Sequence, residues 1–119
     1  MGPDHCILVL GGAGLVGSQI VRAIAREMEP QRIVVASLYR GEVREFLHDA
    51  RREFCNVEFI GAWGDVFVRD AFMEENRRRL LMTRARRDML YQDLFGNLEE
   101  AYARSGLVQL IRQYRPAVI

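Results

Sequence analysis

Hydrophobic positions between residues 6 and 61 alternate between short continuous runs and helical spacing. Three runs are rich in apolar and β-branched residues: CILVL (6–10), RIVVAS (32–37) and NVEFIG (56–61). Between them, apolar residues recur every three or four positions over 14–28 and 41–54, as on one face of a helix. Continuous apolar strands are typical of a parallel sheet buried on both faces. The β-α-β-α-β order therefore predicts an α/β fold with a doubly wound parallel sheet and right-handed crossovers.

The pattern changes after residue 65. Helical spacing continues over 67–114, with helices predicted at 67–82, 84–95 and 98–114, although a crossover needs only about a dozen residues. The third of these helices has one mainly apolar side, formed by Leu98, Ala101, Tyr102, Val108, Ile111 and Tyr114. RPAVI (115–119) then predicts the start of a fourth strand. We interpret residues 1–119 as the N-terminal part of one α/β domain, with a long helical excursion between strands 3 and 4.

Four glycines lie between the first strand and the first helix: Gly11, Gly12, Gly14 and Gly17. They satisfy both the GxxGxxG and the GxGxxG spacing. In a dinucleotide site the first two allow a tight turn, the third lets the main chain approach the pyrophosphate, and the last lets the helix pack closely. The amides of Leu15 and Val16 at the helix N-terminus would face the phosphates. The pattern predicts a nucleotide site, and the alternative is a glycine-rich turn without a ligand.

The end of the second strand is where a dinucleotide site contacts the adenosine ribose. An acidic residue there would accept a hydrogen bond from the 2′-hydroxyl of NAD. This chain has Ser37 at that place and Arg40 three residues later. A hydroxyl and a guanidinium suit a 2′-phosphate, because Arg binds phosphate in a bidentate manner. The residues favour NADP, with NAD as the alternative cofactor and a solvated loop position as the alternative for Arg40.

Asp65 follows the third strand in GAWGDVF (61–67). Its carboxylate and the amide of Val66 would contact the adenine edge. Asp before a helix also caps its first amides, and the two roles are compatible. Trp63 lies near this position and is predicted to serve in packing, with a place beside the adenine as the alternative.

Three segments resemble, in order and spacing, the N-terminal half of the extended short-chain dehydrogenases/reductases, which include sugar-nucleotide epimerases and dehydratases: VLGGAGLVGS (9–18), IVVASLYRG (33–41) and VEFIGAWGD (57–65). RPAVI also resembles the opening of that family's fourth strand. The resemblance implies a Rossmann-type NAD(P)-binding fold. It implies that Gly11, Gly14 and Gly17 form the cofactor turn. It also implies that Ser37 and Arg40 contact the ribose and select the cofactor, and that Asp65 contacts the adenine.

The chain departs from the family in ways that affect catalysis. The Thr that usually precedes the glycines is Leu10 here, and the helical stretch before the fourth strand is longer. The family's catalytic pattern is Tyr-x-x-x-Lys. In this chain Phe95 takes the place of the Lys after Tyr91, and the sequence contains no Lys, since its 17 Lys and Arg residues are all Arg. We therefore assign no catalytic residue to this chain and expect it to be inactive alone. The alternatives are a saccharopine-dehydrogenase-like N-terminal domain and a non-catalytic NADP-sensing module.

Composition narrows the range of partners. The formal net charge of +1 gives no global field for nucleic acid or an anionic membrane. The arginines of 77–87 are interpreted as a solvated helix face, with a phosphate-binding or acidic-partner role as the alternative, and no nucleic-acid module is recognisable. No apolar run approaches the roughly 18 residues of a membrane span. The expected partners are a dinucleotide and the remaining sequence or a second chain that completes the sheet, including a homo-oligomer.

Two isolated cysteines bear on compartment. Cys6 and Cys55 have neither CxxC nor His-Cys spacing, so neither a metal site nor a disulfide is indicated. We expect both thiols to be buried and reduced, as in a cytoplasmic protein.

Overall fold

The computed structural model describes residues 5–64 and 106–119. The strands of this part are β1 (Cys6–Leu10), β2 (Arg32–Ser37) and β3 (Glu58–Trp63). They form a parallel sheet with β2 in the middle. The helices are α1 (Leu15–Met28), α2 (Arg40–Glu53) and α3 (Gly106–Tyr114). The prediction of a small α/β fold with a parallel sheet is therefore confirmed.

The register places the carboxyl ends of the three parallel strands together at one end of the sheet, which we call the carboxyl edge. Leu10 of β1 lies beside Ala36 of β2, and Ser37 lies beside Trp63 of β3. The middle strand is the most buried, because Ile33 and its two apolar successors are fully enclosed between helices on both faces. A continuous apolar run is the pattern that such a strand requires.

Helices cover both faces of the sheet and produce two apolar clusters. On one face, α1 and α2 pack on β2 and β3 through a cluster that includes Val21, Val35, Val43 and Phe59. On the other face, α3 packs through Leu110 on a cluster that includes Leu8, Val34 and Ala62. The alternation of side chains along β2 separates the two clusters, since successive residues of a strand face opposite ways.

The end of the chain returns to the sheet beside β1. Val118 forms a parallel bridge with Ile7. The amide of Leu8 donates to the carbonyl of Val118 at 3.0 Å, and the amide of Ala117 donates to the carbonyl of Cys6 at 2.8 Å. The predicted fourth strand is thus present as one bridge, on the side of β1 that faces away from β2.

The third strand lies two residues later than predicted, and Gly61 explains the difference. The sequence predicts a strand over 56–61, with Gly61 and Gly64 opening the next turn, whereas Gly61 lies inside β3. A Cβ at this position would lie 2.7 Å from Cγ1 of Val43 and 2.8 Å from Cδ1 of Leu47. The glycine therefore serves the packing of α2 on β3, and the turn begins at Gly64, whose φ is 109°.

The helix boundaries are close to those predicted. α1 ends at Met28, after which Glu29 adopts a left-handed conformation (φ 42°) and Pro30 is buried. α2 runs one residue earlier than expected at both ends. The helices predicted over 67–82 and 84–95, and residues 98–105 of the third, lie outside the described residues.

The predicted apolar side of α3 is correct only in part. Ile111 and Tyr114 pack against the sheet as expected, but the buried residues are Gly106 and Leu110, which were not predicted. Among the described helices, none has the length and apolar character needed to cross a bilayer. Cys6 is buried as predicted, whereas the prediction for Cys55 is wrong, because it lies exposed in the turn after α2 while the neighbouring Phe54 packs against the core.

Candidate functional site at the glycine turn

The glycine turn begins where β1 ends and is held against the end of β2. Gly11 adopts a φ of 72°, in the left-handed region that favours glycine. Its amide donates to the carbonyl of Ala36 at 2.6 Å, and the amide of Gly12 donates to the same oxygen at 3.3 Å. Of the two glycines predicted to allow a tight turn, Gly11 has a positive φ and Gly12 does not.

The remaining glycines differ in how strongly the fold requires them. A Cβ on Gly17 would overlap the carbonyl group of Gly11, and a Cβ on Gly12 would lie 2.9 Å from Cγ1 of Val35. Gly14 has an ordinary extended backbone (φ −75°, ψ 177°), and its Cβ would lie 3.3 Å from the carbonyl oxygen of Gly11. Packing therefore explains Gly12 and Gly17, but it explains Gly14 only weakly.

The N-terminus of α1 follows the turn without a side-chain cap. Its first turn contains no acidic residue, and Gly14 occupies the N-cap position. The amide of Ser18 donates to the carbonyl of Gly14 at 2.9 Å, while the amides of Leu15, Val16 and Gly17 have no acceptor within residues 5–64 and 106–119. Amides without an acceptor and the positive end of the helix dipole favour the binding of an anion at a helix N-terminus.

Ser37 is buried at the end of β2, and its hydroxyl contacts the glycine turn. The oxygen accepts a hydrogen bond from the amide of Ala13 at 2.9 Å. This bond leaves the hydroxyl hydrogen available to a further acceptor. The sequence predicted Ser37 at this edge but not its contact with Ala13, because the contact joins residues 24 positions apart and depends on how β1 and β2 pair.

Arg40 and Trp63 stand at the same edge of the sheet. Arg40 is the first residue of α2 and is half-buried, so it is not a solvated loop residue. Its guanidinium carbon lies 5.4 Å from the centroid of the Trp63 ring, within the range of a cation–π contact. Because Trp63 lies beside Ser37 in the sheet, the edge brings together a hydroxyl, a guanidinium and an indole.

Some predicted site residues cannot be located in this arrangement. Asp65, Val66 and the arginine-rich stretch 77–87 lie outside the described residues. Within the described part of the chain, no three His, Cys, Asp or Glu side chains lie close enough together to hold a metal ion. The local site therefore consists of main-chain amides and a few polar side chains, which is a set suited to binding an anionic group.

Comparisons with known proteins add no relative to this description. No protein-family model, curated protein or solved structure matches the chain. Functional interpretation therefore depends on the geometry of the glycine turn and on the motifs around it.

Proposed function

We propose that this chain is the NAD(P)-binding portion of an oxidoreductase, or of a sugar-nucleotide epimerase or dehydratase, of the short-chain dehydrogenase/reductase type. Its catalytic residues would lie outside residues 1–119. The observation that carries the proposal is the combination of a glycine turn at the carboxyl edge of a parallel sheet with an uncapped helix directly after it. In this role the turn holds the pyrophosphate, and the amides of Leu15 and Val16 donate to it.

Gly14 supports the assignment because internal packing explains only weakly why this position is a glycine. Gly12 and Gly17 are explained by internal packing. At Gly14 a Cβ would make one tight contact, 3.3 Å from the carbonyl oxygen of Gly11, without the overlap found at Gly17, yet the residue is glycine at the N-cap of α1. A ligand that approaches the main chain closely at this place supplies the missing reason.

The order of the strands supports the place of the ligand. The chain leaves β1 through α1 toward β2, and Val118 returns on the opposite side of β1. In doubly wound sheets, the crevice at the carboxyl end of the strand where the order reverses is the usual ligand site. The end of β1 is also where the glycine turn begins, so the two arguments point to the same crevice.

The proposed cofactor is NADP, with NAD as the alternative. Ser37 and Arg40 would contact the 2′-phosphate, since a guanidinium binds phosphate through paired hydrogen bonds. The contact between Arg40 and Trp63 supports this role, because it holds the guanidinium at the carboxyl edge of the sheet. The adenine contact by Asp65 and Val66 is proposed from the sequence alone.

The proposed fold requires the sheet to continue beyond Val118. Either the remaining sequence of a larger protein or another chain would supply the following strands. The exposure of two apolar residues supports this, since Leu10 ends β1 and Ile119 follows the bridge at Val118.

A binding titration with a matched glycine control tests the proposal. Trp63 is the single tryptophan of the chain, so its fluorescence reports NADPH binding at the adjacent edge. We expect saturable binding that Gly14→Val abolishes, because the side chain would occupy the approach of the pyrophosphate. Gly41→Ala is the control, since a Cβ there meets no atom within 4 Å.

Circular dichroism of both variants establishes that they fold. Absence of NADPH and NADH binding to the wild-type chain, or unchanged affinity in folded Gly14→Val, would overturn the proposal. The NADP-sensing module is the second candidate, favoured by the absence of any Lys in the chain. A Tyr-x-x-x-Lys pair in sequence that follows residue 119 would decide for the enzyme.

A further inference from the structure

A cavity of about 1020 Å³ lies between α2 and the outer edge of β3. Its apolar part is formed by Val43, Leu47, Gly61 and Trp63. Its basic part includes the half-buried Arg40 and four exposed residues that we call the basic row, which are Arg44, His48, Arg51 and Arg52. Glu45 is the single acidic residue of the lining. The cavity therefore joins an apolar wall to one rich in arginine.

The basic row follows the helix axis in regular steps. Arg44, His48 and Arg52 are four residues apart, which corresponds to about 6 Å of rise per step in an α-helix. Arg51 reaches across to the strand, where its Nη2 donates to the carbonyl oxygen of Phe59 at 2.8 Å. The basic row thus follows α2, and Arg51 contacts β3 at one point.

The outer edge of β3 offers main-chain groups to this cavity. On the inner side, the amide of Glu58 donates to the carbonyl of Gln31 at 3.0 Å. Because main-chain groups alternate between the two sides of a strand, those of Phe59, Gly61 and Trp63 point to the outer side. Arg51 occupies one of them, and no strand pairs with this side in the part of the chain that the structure describes. Among the described residues, the outward main-chain groups of Gly61 and Trp63 pair with no strand.

We propose that this cavity binds an extended acidic segment of another protein, which pairs with the outer edge of β3. Residues two apart in a strand lie about 6.6 Å from each other on the same face. This spacing matches the steps of the basic row, so alternate carboxylates of the added strand would face Arg44, His48 and Arg52. Addition of a strand to a free edge is a general mode of peptide recognition. The cavity also contains Arg40 and Trp63, which the proposed dinucleotide site uses, so the test changes Arg44 and Arg52, which that site does not include.

Fluorescence anisotropy with a labelled peptide of alternating Glu and Thr tests the inference on the full chain. We expect saturable binding that weakens as salt is raised, because the charges are exposed. The double variant Arg44→Glu, Arg52→Glu should bind about tenfold more weakly, as two favourable charge pairs become unfavourable. Arg112→Glu reverses a charge in the same way at an exposed position of α3 and should leave the affinity unaltered.

Two further probes separate strand pairing from simple charge attraction. A peptide N-methylated at alternate residues keeps its carboxylates but loses main-chain donors, and we expect it not to bind. Equal binding of this peptide, an equal effect of Arg112→Glu, or no binding of the unmodified peptide would overturn the proposal. Tighter binding of single-stranded oligothymidylate than of the peptide would also overturn it, in favour of a nucleic-acid surface. NADPH titration of the same variants tests the dinucleotide site separately.

Discussion

The hydroxyl oxygen of Ser37 accepts a hydrogen bond from the amide of Ala13 at 2.9 Å, which joins the end of β2 to the glycine turn. Because Ser37 is buried, Ser37→Ala should lower the free energy of unfolding by about 1 kcal/mol and weaken NADPH binding. Ser18→Ala removes an exposed bond to the carbonyl of Leu15 and should cost less than about 0.5 kcal/mol. Urea unfolding measures the stability of both variants, and titration with NADPH measures the affinity. Equal losses of stability in the two variants would contradict the role of Ser37.

Gly17 should be the least replaceable residue of the turn. Gly17→Ala places a Cβ on the carbonyl group of Gly11, so the turn or α1 must move. We expect a loss of more than about 3 kcal/mol or failure to fold. Gly41→Ala lies in α2 with open space around it and should stabilise the chain by roughly 0.5–1 kcal/mol. Thermal unfolding compares the two, and a Gly17→Ala protein as stable as the wild type would contradict the packing argument.

Arg40 should distinguish the two dinucleotides. If its guanidinium binds the 2′-phosphate, Arg40→Ala weakens NADPH binding by about ten- to a hundredfold, because a bond to a charged group contributes roughly 1.5–3 kcal/mol. NADH binding should hardly change. Arg44→Ala, one helical turn later, is the control for lost positive charge. Calorimetric titration measures all the affinities, and equal losses for NADPH and NADH would mean that Arg40 only supports the turn.

The two thiols should react very differently. Burial raises the pKa of Cys6, with Arg32 lowering it and Glu58 raising it to smaller extents, whereas Cys55 is exposed. A thiol reagent at neutral pH should modify Cys55 rapidly and Cys6 only on unfolding, and Cys55→Ser should remove the rapid phase. Fast modification of Cys6 in the folded chain would contradict its placement in the core.

The raised pKa of Cys6 also makes the free energy of unfolding depend on pH. As pH rises through the ordinary Cys range, the unfolded chain loses its proton first, so the folded state is disfavoured above about pH 8.5. The expected result is a decrease in the free energy of unfolding over this range that is smaller in Cys6→Ala. Urea titrations at several pH values measure it, and an identical decrease in both proteins would exclude Cys6 as the cause.

Residues 1–119 alone should self-associate and lack oxidoreductase activity. Leu15 is 88% exposed, Val16 71% and Ile119 61%, and the side of β1 near Val118 has a single bridge. Exposed strand edges and apolar patches promote pairing with other chains. Light scattering should show association that Ile119→Asp reduces. A monomer that oxidises NADPH with a carbonyl substrate would contradict both parts of this prediction.

Local pattern was sufficient where one segment determines its own structure. β2 was predicted with its observed bounds, because its apolar run is continuous and is bordered by polar residues. β3 was misplaced because glycine within a strand and glycine opening a turn look alike until the contacts of α2 are known. The link from Ser37 to Ala13 and the burial of Leu110 were missed for the same reason, since both depend on segments distant in sequence.

The absence of a side chain at Gly61 has a mechanical consequence. Val43 and Leu47 approach the main chain of β3 directly there, with no intervening layer of side-chain atoms. Close-packed contacts of this kind resist sliding, because any shift must separate the two surfaces. We expect β3 and α2 to move as one rigid body. Because β2 pairs with β3 along its whole length, the end of β2 that holds the glycine turn belongs to the same body.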